Sequence, residues 1–251
     1  MRDPALVARP IRRVTVRDQV AAELQRLVVS GAVPVGEPLP SEAELCRMFG
    51  CSRGAVREAL RGLEQAGLVV RAANGRELIV QSVSLDKLSD TVRLYMQLEE
   101  VTFEELFEFL EGVEPWTARR AALRCSDAML IRLQTLNDVP LDSVEAIIAI
   151  EEEFHDLLAE ATGNRMLLAA RLPLSDALNA AMTEILPLIG EAAITGIRRA
   201  HDEIIAAIVA KDEQRALDWS LRHAQAYRRA LQMANKPLTD PVRPLQSLHE
   251  A

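Results

Sequence analysis

Between Val16 and Val28 the chain places Val20, Leu24, Leu27 and Val28 three and four positions apart, the period of one apolar helix face. The pattern stops at Ser30-Gly31. There follows Pro34-Val35-Gly36-Glu37-Pro38-Leu39-Pro40, where the fixed φ and missing N–H of proline rule out helix and force a turn. Ser41, with Glu44 three residues on, forms a capping box that predicts a helix over Glu42–Phe49, ended by Gly50. Ser52 can cap the next amphipathic run, Ser52–Ala66, closed by Gly67. Two β-prone triplets, Leu68-Val69-Val70 and Leu78-Ile79-Val80, flank Asn74-Gly75, a pair suited to tight hairpin turns. The order helix, helix, tight turn, helix, hairpin predicts a winged helix-turn-helix over residues 15–82.

From Thr91 to Asn235 helical period is almost continuous, punctuated at Pro115, Pro140, Gly163, Pro173, Pro187 and Gly196. Six or seven helices are expected there, packed as a bundle. Residues 83–90 read as a short polar linker. Residues 1–14, with two prolines and four arginines, read as a basic arm, and 236–251, with three prolines, as a poorly ordered tail. The fold class is therefore mainly α: an N-terminal winged helix-turn-helix followed by an all-α bundle, residues 91–235.

Composition agrees. Apolar residues make up 49% of the 251 but aromatics only 4%, so the cores are aliphatic, which suits packed helices better than sheets. The net charge of −8 argues against a nucleic-acid partner until the chain is divided. Residues 1–82 carry 12 arginines and nine acids, whereas 83–251 carry 17 basic and 28 acidic residues. Such asymmetry suggests that one module meets phosphate and the other does not. Cys46, Cys51 and Cys125 are odd in number and lack CxxC spacing, so they read as reduced thiols. No apolar stretch of about 18 residues predicts a membrane span, and the N-terminus lacks an apolar signal region. A cytoplasmic location is expected.

Helix-turn-helix docking lays the second helix in the major groove, its N-terminal residues toward base edges. Here that helix begins Ser52-Arg53-Gly54-Ala55-Val56-Arg57. Arg53 and Arg57 share a face, and arginine can bond guanine O6 and N7 with two donors. Gly54 and Ala55 are small enough for close approach, while Val56, Leu60 and Leu63 line the opposite face. Ser41 and Ser52 can donate to phosphate, and Gly75-Arg76 at the wing tip can touch backbone or minor groove. Alone, two arginines on a helix read as solvated surface; the surrounding turn signals carry the DNA reading.

The stretch Asp18-Gln19-Val20, Ser30-Gly31, Gly36 through Glu42, Phe49-Gly50, Ser52-Arg53, Val56-Arg57-Glu58-Ala59-Leu60, Leu63-Glu64 and Gly67-Leu68-Val69 resembles the GntR-type winged helix. The resemblance implies a homodimer on double-stranded DNA, each protomer reading half of a palindromic operator, with Arg53 and Arg57 at bases or phosphates and Gly75 at the wing tip. Two positions depart from the pattern. Ala43 stands where many members have arginine, and the wing lacks the usual second glycine and threonine.

In the acidic part, Glu151 and His155 lie one turn apart on one helix face, with His201 and His223 on later helices. One carboxylate and three imidazoles can close around a divalent ion. Isolated helical histidines are nevertheless more often core or surface residues, and Glu152 and Glu153 read as a solvated face. Glu114, Ala121-Ala122, Glu151 through His155, Gly163-Asn164, His201, Ala206-Ala207-Ile208 and His223 resemble the FadR C-terminal domain (FCD) class of ligand-sensing bundles. The resemblance implies a divalent metal, zinc with nickel or manganese as alternatives, held by Glu151, His155, His201 and His223, and a small carboxylate effector in the same cavity. Glu151 replaces the usual Asp. Leu110 replaces an arginine common one turn before Glu114; Arg119 and Arg120 are nearby substitutes, though adjacent helix residues point about 100° apart and at most one can face the cavity.

These readings predict a ligand-responsive transcription regulator in which effector binding alters the spacing or mobility of the winged domains. Two rivals remain at this point. One is a structural DNA binder whose bundle only dimerises, with the histidines as core. The other is an all-α metalloenzyme using Glu152 or Glu153 as general base beside a metal-bound water.

Overall fold

Thr15 Oγ1 accepts from the Asp18 N–H while the Asp18 carboxylate accepts from the Thr15 N–H, and this box starts α1 (Val16–Val29). The computed structural model describes residues 15–82 and 84–242, in two compact units divided after Ser84. The arm 1–14 and the last nine residues of the expected tail lie outside the described residues.

In the first unit, Ser41 and Glu44 cap α2 (Glu42–Phe49) reciprocally, and Gly50 at φ +61° ends it in the left-handed region. Ser52 caps α3 (Arg53–Gln65). Strands β1 (Val69–Arg71) and β2 (Leu78–Val80) pair antiparallel, Val70 opposite Ile79. At the tip Gly75 takes φ +68°, and Asn74 Oδ1 accepts from the Arg76 and Glu77 N–H groups. The proline-rich segment does more than turn. Gly36 and Leu39 donate to Val80 and Leu78 carbonyls at 2.8 Å, and Val80 donates to Glu37, so residues 36–39 line the free edge of β2. Proline is tolerated there because an edge leaves some N–H positions without a ladder partner. Val20, Leu24, Leu45, Val56, Leu60, Leu63, Val69 and Val80 form the core beneath. Each such fully buried side chain contributes about 1.5–3 kcal/mol.

The second unit is a bundle of α4 (Leu85–Leu98), α5 (Phe103–Arg124), α6 (Asp127–Asn137), α7 (Val144–Ala161), α8 (Arg165–Val209) and α9 (Glu213–Met233). Thr102, Ser126, Ser143, Asn164 and Asp212 cap α5 to α9, each accepting from a backbone N–H of the first turn. Pro140 and Gly163 separate helices as expected. Pro115, Pro173, Pro187 and Gly196 do not; they lie inside α5 and α8. Proline's φ is helical and each one forfeits a single N–H bond, which packing along a long helix can offset.

Two further expectations need correction. Residues 85–90, expected as linker, are the first turns of α4, where Leu88 and Val92 continue the apolar spacing. Residues 236–242 are no loose tail. Leu238 and Asp240 carbonyls accept from the Glu104 and Phe103 N–H groups, Val242 donates to Val101, and Val242 is 2% exposed. The orphan donors that begin every helix are here satisfied by the returning chain.

Two aliphatic cores fill the bundle. One joins Phe107 and Leu110 of α5 to Leu178 of α8 and Leu231 of α9; the other joins Phe154 and Leu157 of α7 to Ala118 and Ile204. All three cysteines are free thiols, and among the described residues no helix is long and apolar enough to cross a membrane.

Candidate functional site

Two places in the chain gather chemistry. The first is the outer face of α3. Val56, Ala59, Leu60 and Leu63 turn inward, which leaves Arg53, Arg57 and Arg61 stacked turn upon turn on the exposed side. Helices favour acids in their first turn, as α2 shows with Glu42 and Glu44, because the free N–H groups there carry partial positive charge. The first turn of α3 holds no acid and begins with Arg53. Local helix stability is lost in exchange for a strongly cationic end, an arrangement suited to an anion arriving from outside. Arg57 Nε lies 3.4 Å from Glu42, a solvent-screened pair, while Arg53 has no ion-pair partner among the described residues.

At Gly54 an added Cβ would meet only Ser52 Oγ, at 3.9 Å, so nothing inside the protein requires a glycine there. Ala55 follows, half-buried. Ser52 Oγ accepts from the Ala55 N–H and keeps its own proton to donate; the Ser41 hydroxyl instead donates to Glu44 at 2.6 Å. Gly75 and Arg76 stand exposed at the wing tip. A concavity of about 920 Å³ between α2, α3 and the wing is lined by Arg57 and Arg76 together with Arg47, Arg61 and Arg71. The last three join that face only in the folded chain. Arg61 was legible from the i, i+4 spacing; Arg71 was not, because only the hairpin brings β1 to that face.

The second place lies where the two cores of the bundle meet. Glu151 and His155 of α7, His201 of α8 and His223 of α9 each offer a ligand atom, all within 4.8 Å of one another. All four residues are at most 4% exposed. His201 Nε2 lies 2.9 Å and His223 Nε2 3.2 Å from the Glu151 carboxylate, and Tyr227 donates its hydroxyl to the same group. Phe154 stacks flat on His201 at 3.6 Å between ring centres. Burial raises the Glu151 carboxyl, but the facing His201 and His223 more than offset this and hold it well below the usual range. Burial pushes His201 down to about 4, so at neutral pH its imidazole is uncharged, the form that binds metals.

A further layer supports this cluster. His155 Nδ1 lies 2.8 Å from Glu114 Oε2, and Arg171 Nε lies 2.9 Å from Glu114 Oε1, with Arg171 also donating to Ser175. An ionised Glu114 accepts from Nδ1–H and thereby leaves the His155 Nε2 lone pair facing Glu151. The cation beside Glu114 therefore comes from α8. Leu110 is buried in the apolar core, Arg119 pairs with Glu213, and Arg120 is exposed. Arg171 and Glu114 are 57 residues apart, and no local spacing announces the pair.

The donor set fits a metal ion on internal grounds. His155 Nε2, His201 Nε2 and Glu151 Oε1 are buried yet make no hydrogen bond, since His201 and Glu151 approach off the bonding axis. Buried polar atoms without partners are rare. Here they converge on one point, and three imidazole nitrogens with one carboxylate are ligands that divalent transition metals take.

Residues 16–76 match the model of the bacterial regulatory proteins of the gntR family, and residues 105–226 match the FCD domain. The chain is 34% identical over 186 residues to the HTH-type transcriptional repressor NanR of Cronobacter sakazakii, covering 70% of each protein. The chain belongs to the GntR family. It is 33% identical to NanR of Salmonella newport over 72% of each chain. Among solved structures, Streptococcus agalactiae GntR shares 27% identity with a TM-score of 0.59, over 85% of this chain and 99% of that one.

This GntR-family member is thus a DNA-binding transcription regulator that responds to a small metabolite, and not an enzyme. The metalloenzyme reading is set aside: the matching family and relatives are regulators. The two chemical sites fall one in each matched region, the arginine face within 16–76 and the histidine cluster within 105–226.

Proposed function

We propose that the protein is a homodimeric repressor that acts in the cytoplasm on a palindromic operator and is relieved by a small carboxylate bound in its histidine-lined centre. Repression is taken from the NanR relatives. On the DNA side, Arg53 and Arg57 read bases or phosphates, Gly54 and Ala55 allow the backbone close to the groove floor, and Ser52, Gly75 and Arg76 hold phosphate or minor groove. Ser41 would join them only by releasing Glu44.

In the bundle, Glu151, His155, His201 and His223 would hold a divalent ion, zinc by ligand type, with nickel or manganese as alternatives. When bound, the ion supplies a positive Lewis-acid position. The chain's own groups do the rest. Glu114 fixes the His155 tautomer, Arg171 neutralises Glu114, and Tyr227 anchors one Glu151 oxygen. The ion favours the effector class: a divalent cation with open positions takes oxygen ligands, and an anionic oxygen is held more strongly than a neutral one.

Three buried donor atoms converging without hydrogen-bond partners carry this proposal. Metal analysis of protein prepared with zinc should find about one ion per chain, and none in His155→Ala. Glu114→Gln should weaken metal affinity about 10–100-fold. Wild-type protein that stays metal-free under those conditions would return the cluster to a structural role. Coupling to DNA further requires that effector affinity differ between DNA-competent and incompetent states.

A further inference from the structure

Along α5 the charges are sorted by sign. Within the helix four glutamates and no base precede Gly112, and three arginines and no acid follow Trp116. The helix dipole favours that order. It gives no reason for Phe109 and Trp116 to stand in water, 43% and 50% exposed. With half-buried Val113 they lie on the side of α5 turned away from both aliphatic cores. Trp116 is also held in place, since Arg119 lies 4.9 Å from its ring centre while pairing with Glu213 of α9. A large aromatic ring fixed at a solvent-facing position suits an interface anchor.

The exposed face is symmetric as well. Glu105, Phe109, Gly112, Val113, Trp116 and Arg120 follow at intervals of 4, 3, 1, 3 and 4 residues, which read the same in both directions. Turned end for end against itself, α5 sets Glu105 opposite Arg120, Phe109 opposite Trp116, and Gly112 opposite Val113. Each pair then occurs twice, as a two-fold interface requires. A parallel pairing would instead set acid on acid. Neither Glu105 nor Arg120 has an ion-pair partner among the described residues, and Glu105 caps Thr102 through Oε2 alone. Gly112 is exposed, and a Cβ there would meet nothing within 4 Å. Glycine weakens a helix relative to alanine, but at the midpoint of this face it lets a second backbone come close.

We propose, on the homodimeric reading above, that this face of α5 packs antiparallel on the same face of a second copy, the two-fold axis passing beside Gly112 and Val113. Glu114, which meets His155, is buried on the opposite side of the helix. α5 then has the buried cluster on one side and the partner on the other.

The test is sedimentation equilibrium of the full chain over a series of concentrations, with circular dichroism to check that each variant is folded. Trp116→Ala and Phe109→Ala should each weaken the dimer about a hundredfold or more, since each loss counts twice. Arg120→Glu sets acid against Glu105 and should weaken it about tenfold or more, the effect shrinking at high salt. Glu105→Gln keeps the cap. It and Arg120→Gln should each cost about three- to tenfold, and the two together no more than either alone. Ile131→Ala, at a 61% exposed position on α6, should leave the dimer unchanged. Additive costs for the Glu105 and Arg120 changes would overturn the antiparallel register. A dimer as tight in Trp116→Ala and Arg120→Glu as in wild type would overturn this face and leave the homodimer standing on another. Wild-type protein that sediments as a monomer throughout would overturn both.

Discussion

The two units handle charge in opposite ways. On the first, Arg57 is 66% exposed and its partner Glu42 47%, and Arg53 has no ion-pair partner among the described residues. In the second, Glu114, Glu151, His155, Arg171, His201 and His223 are each at most 4% exposed and bonded or stacked to one another. A solvent-exposed ion pair is worth about 0–1 kcal/mol, so Arg57 can leave Glu42 for a phosphate or a base at little cost. A buried charge has no water to fall back on. The first surface is built from separable parts, whereas the second is a set whose members depend on one another.

The sharpest way to break that comparison is to remove one buried member. Arg171→Ala strands the Glu114 carboxylate and should cost about 3–5 kcal/mol in denaturant unfolding while weakening metal binding; a loss below about 1 kcal/mol would show the cluster to be a collection of independent residues. Next in size is the effect of acid on metal-free protein. His201 titrates at about 4 when folded and near 6.5 when unfolded, so the unfolded chain takes up the proton first. Its contribution is complete above pH 6.5 and falls away toward pH 4, on the order of 3 kcal/mol in all. His201→Gln should flatten that part of the stability curve.

On the DNA face the expected effects are smaller in stability and confined to binding. Arg53→Ala should weaken a selected operator fragment by about 1–3 kcal/mol, yet leave unfolding within about 0.5 kcal/mol of wild type. Unchanged affinity would refute the docking. Arg47→Ala, at a position that lines the concavity without sitting on α3, should weaken all sequences alike and lower the salt slope by about one. Selective loss at one base pair would instead make Arg47 a reader.

What could be read in advance divides along the same line. The capping boxes, the Gly50 stop, the Asn74-Gly75 hairpin and the face shared by Arg53 and Arg57 are encoded within a few residues, and the structure places them as read. Glu151 and His155 were legible as an i, i+4 pair, and resemblance joined His201 and His223 to them. The Glu114–Arg171 pair was not legible, nor was the approach of Tyr227 to Glu151, since both depend on helices distant in sequence. Pro173 and Pro187 misled for the opposite reason: a local rule against helix yielded to the packing of α8. Residues 236–242 gave no warning because they act largely through backbone N–H and carbonyl groups, which nearly every residue has.

That returning segment makes the bundle nearly circular. Val242 is hydrogen-bonded to Val101, just ahead of α5, so the chain leaves the five helices α5 to α9 beside the point where it entered them. The order in which those helices are strung is therefore largely arbitrary with respect to their packing. Splicing 242 to 101 and opening new ends between Asp138 and Ser143 would keep every one of the five whole, at a surface loop of the kind where permutation succeeds. A sensing bundle closed in this way is a cassette, which another chain can carry between two of its own residues.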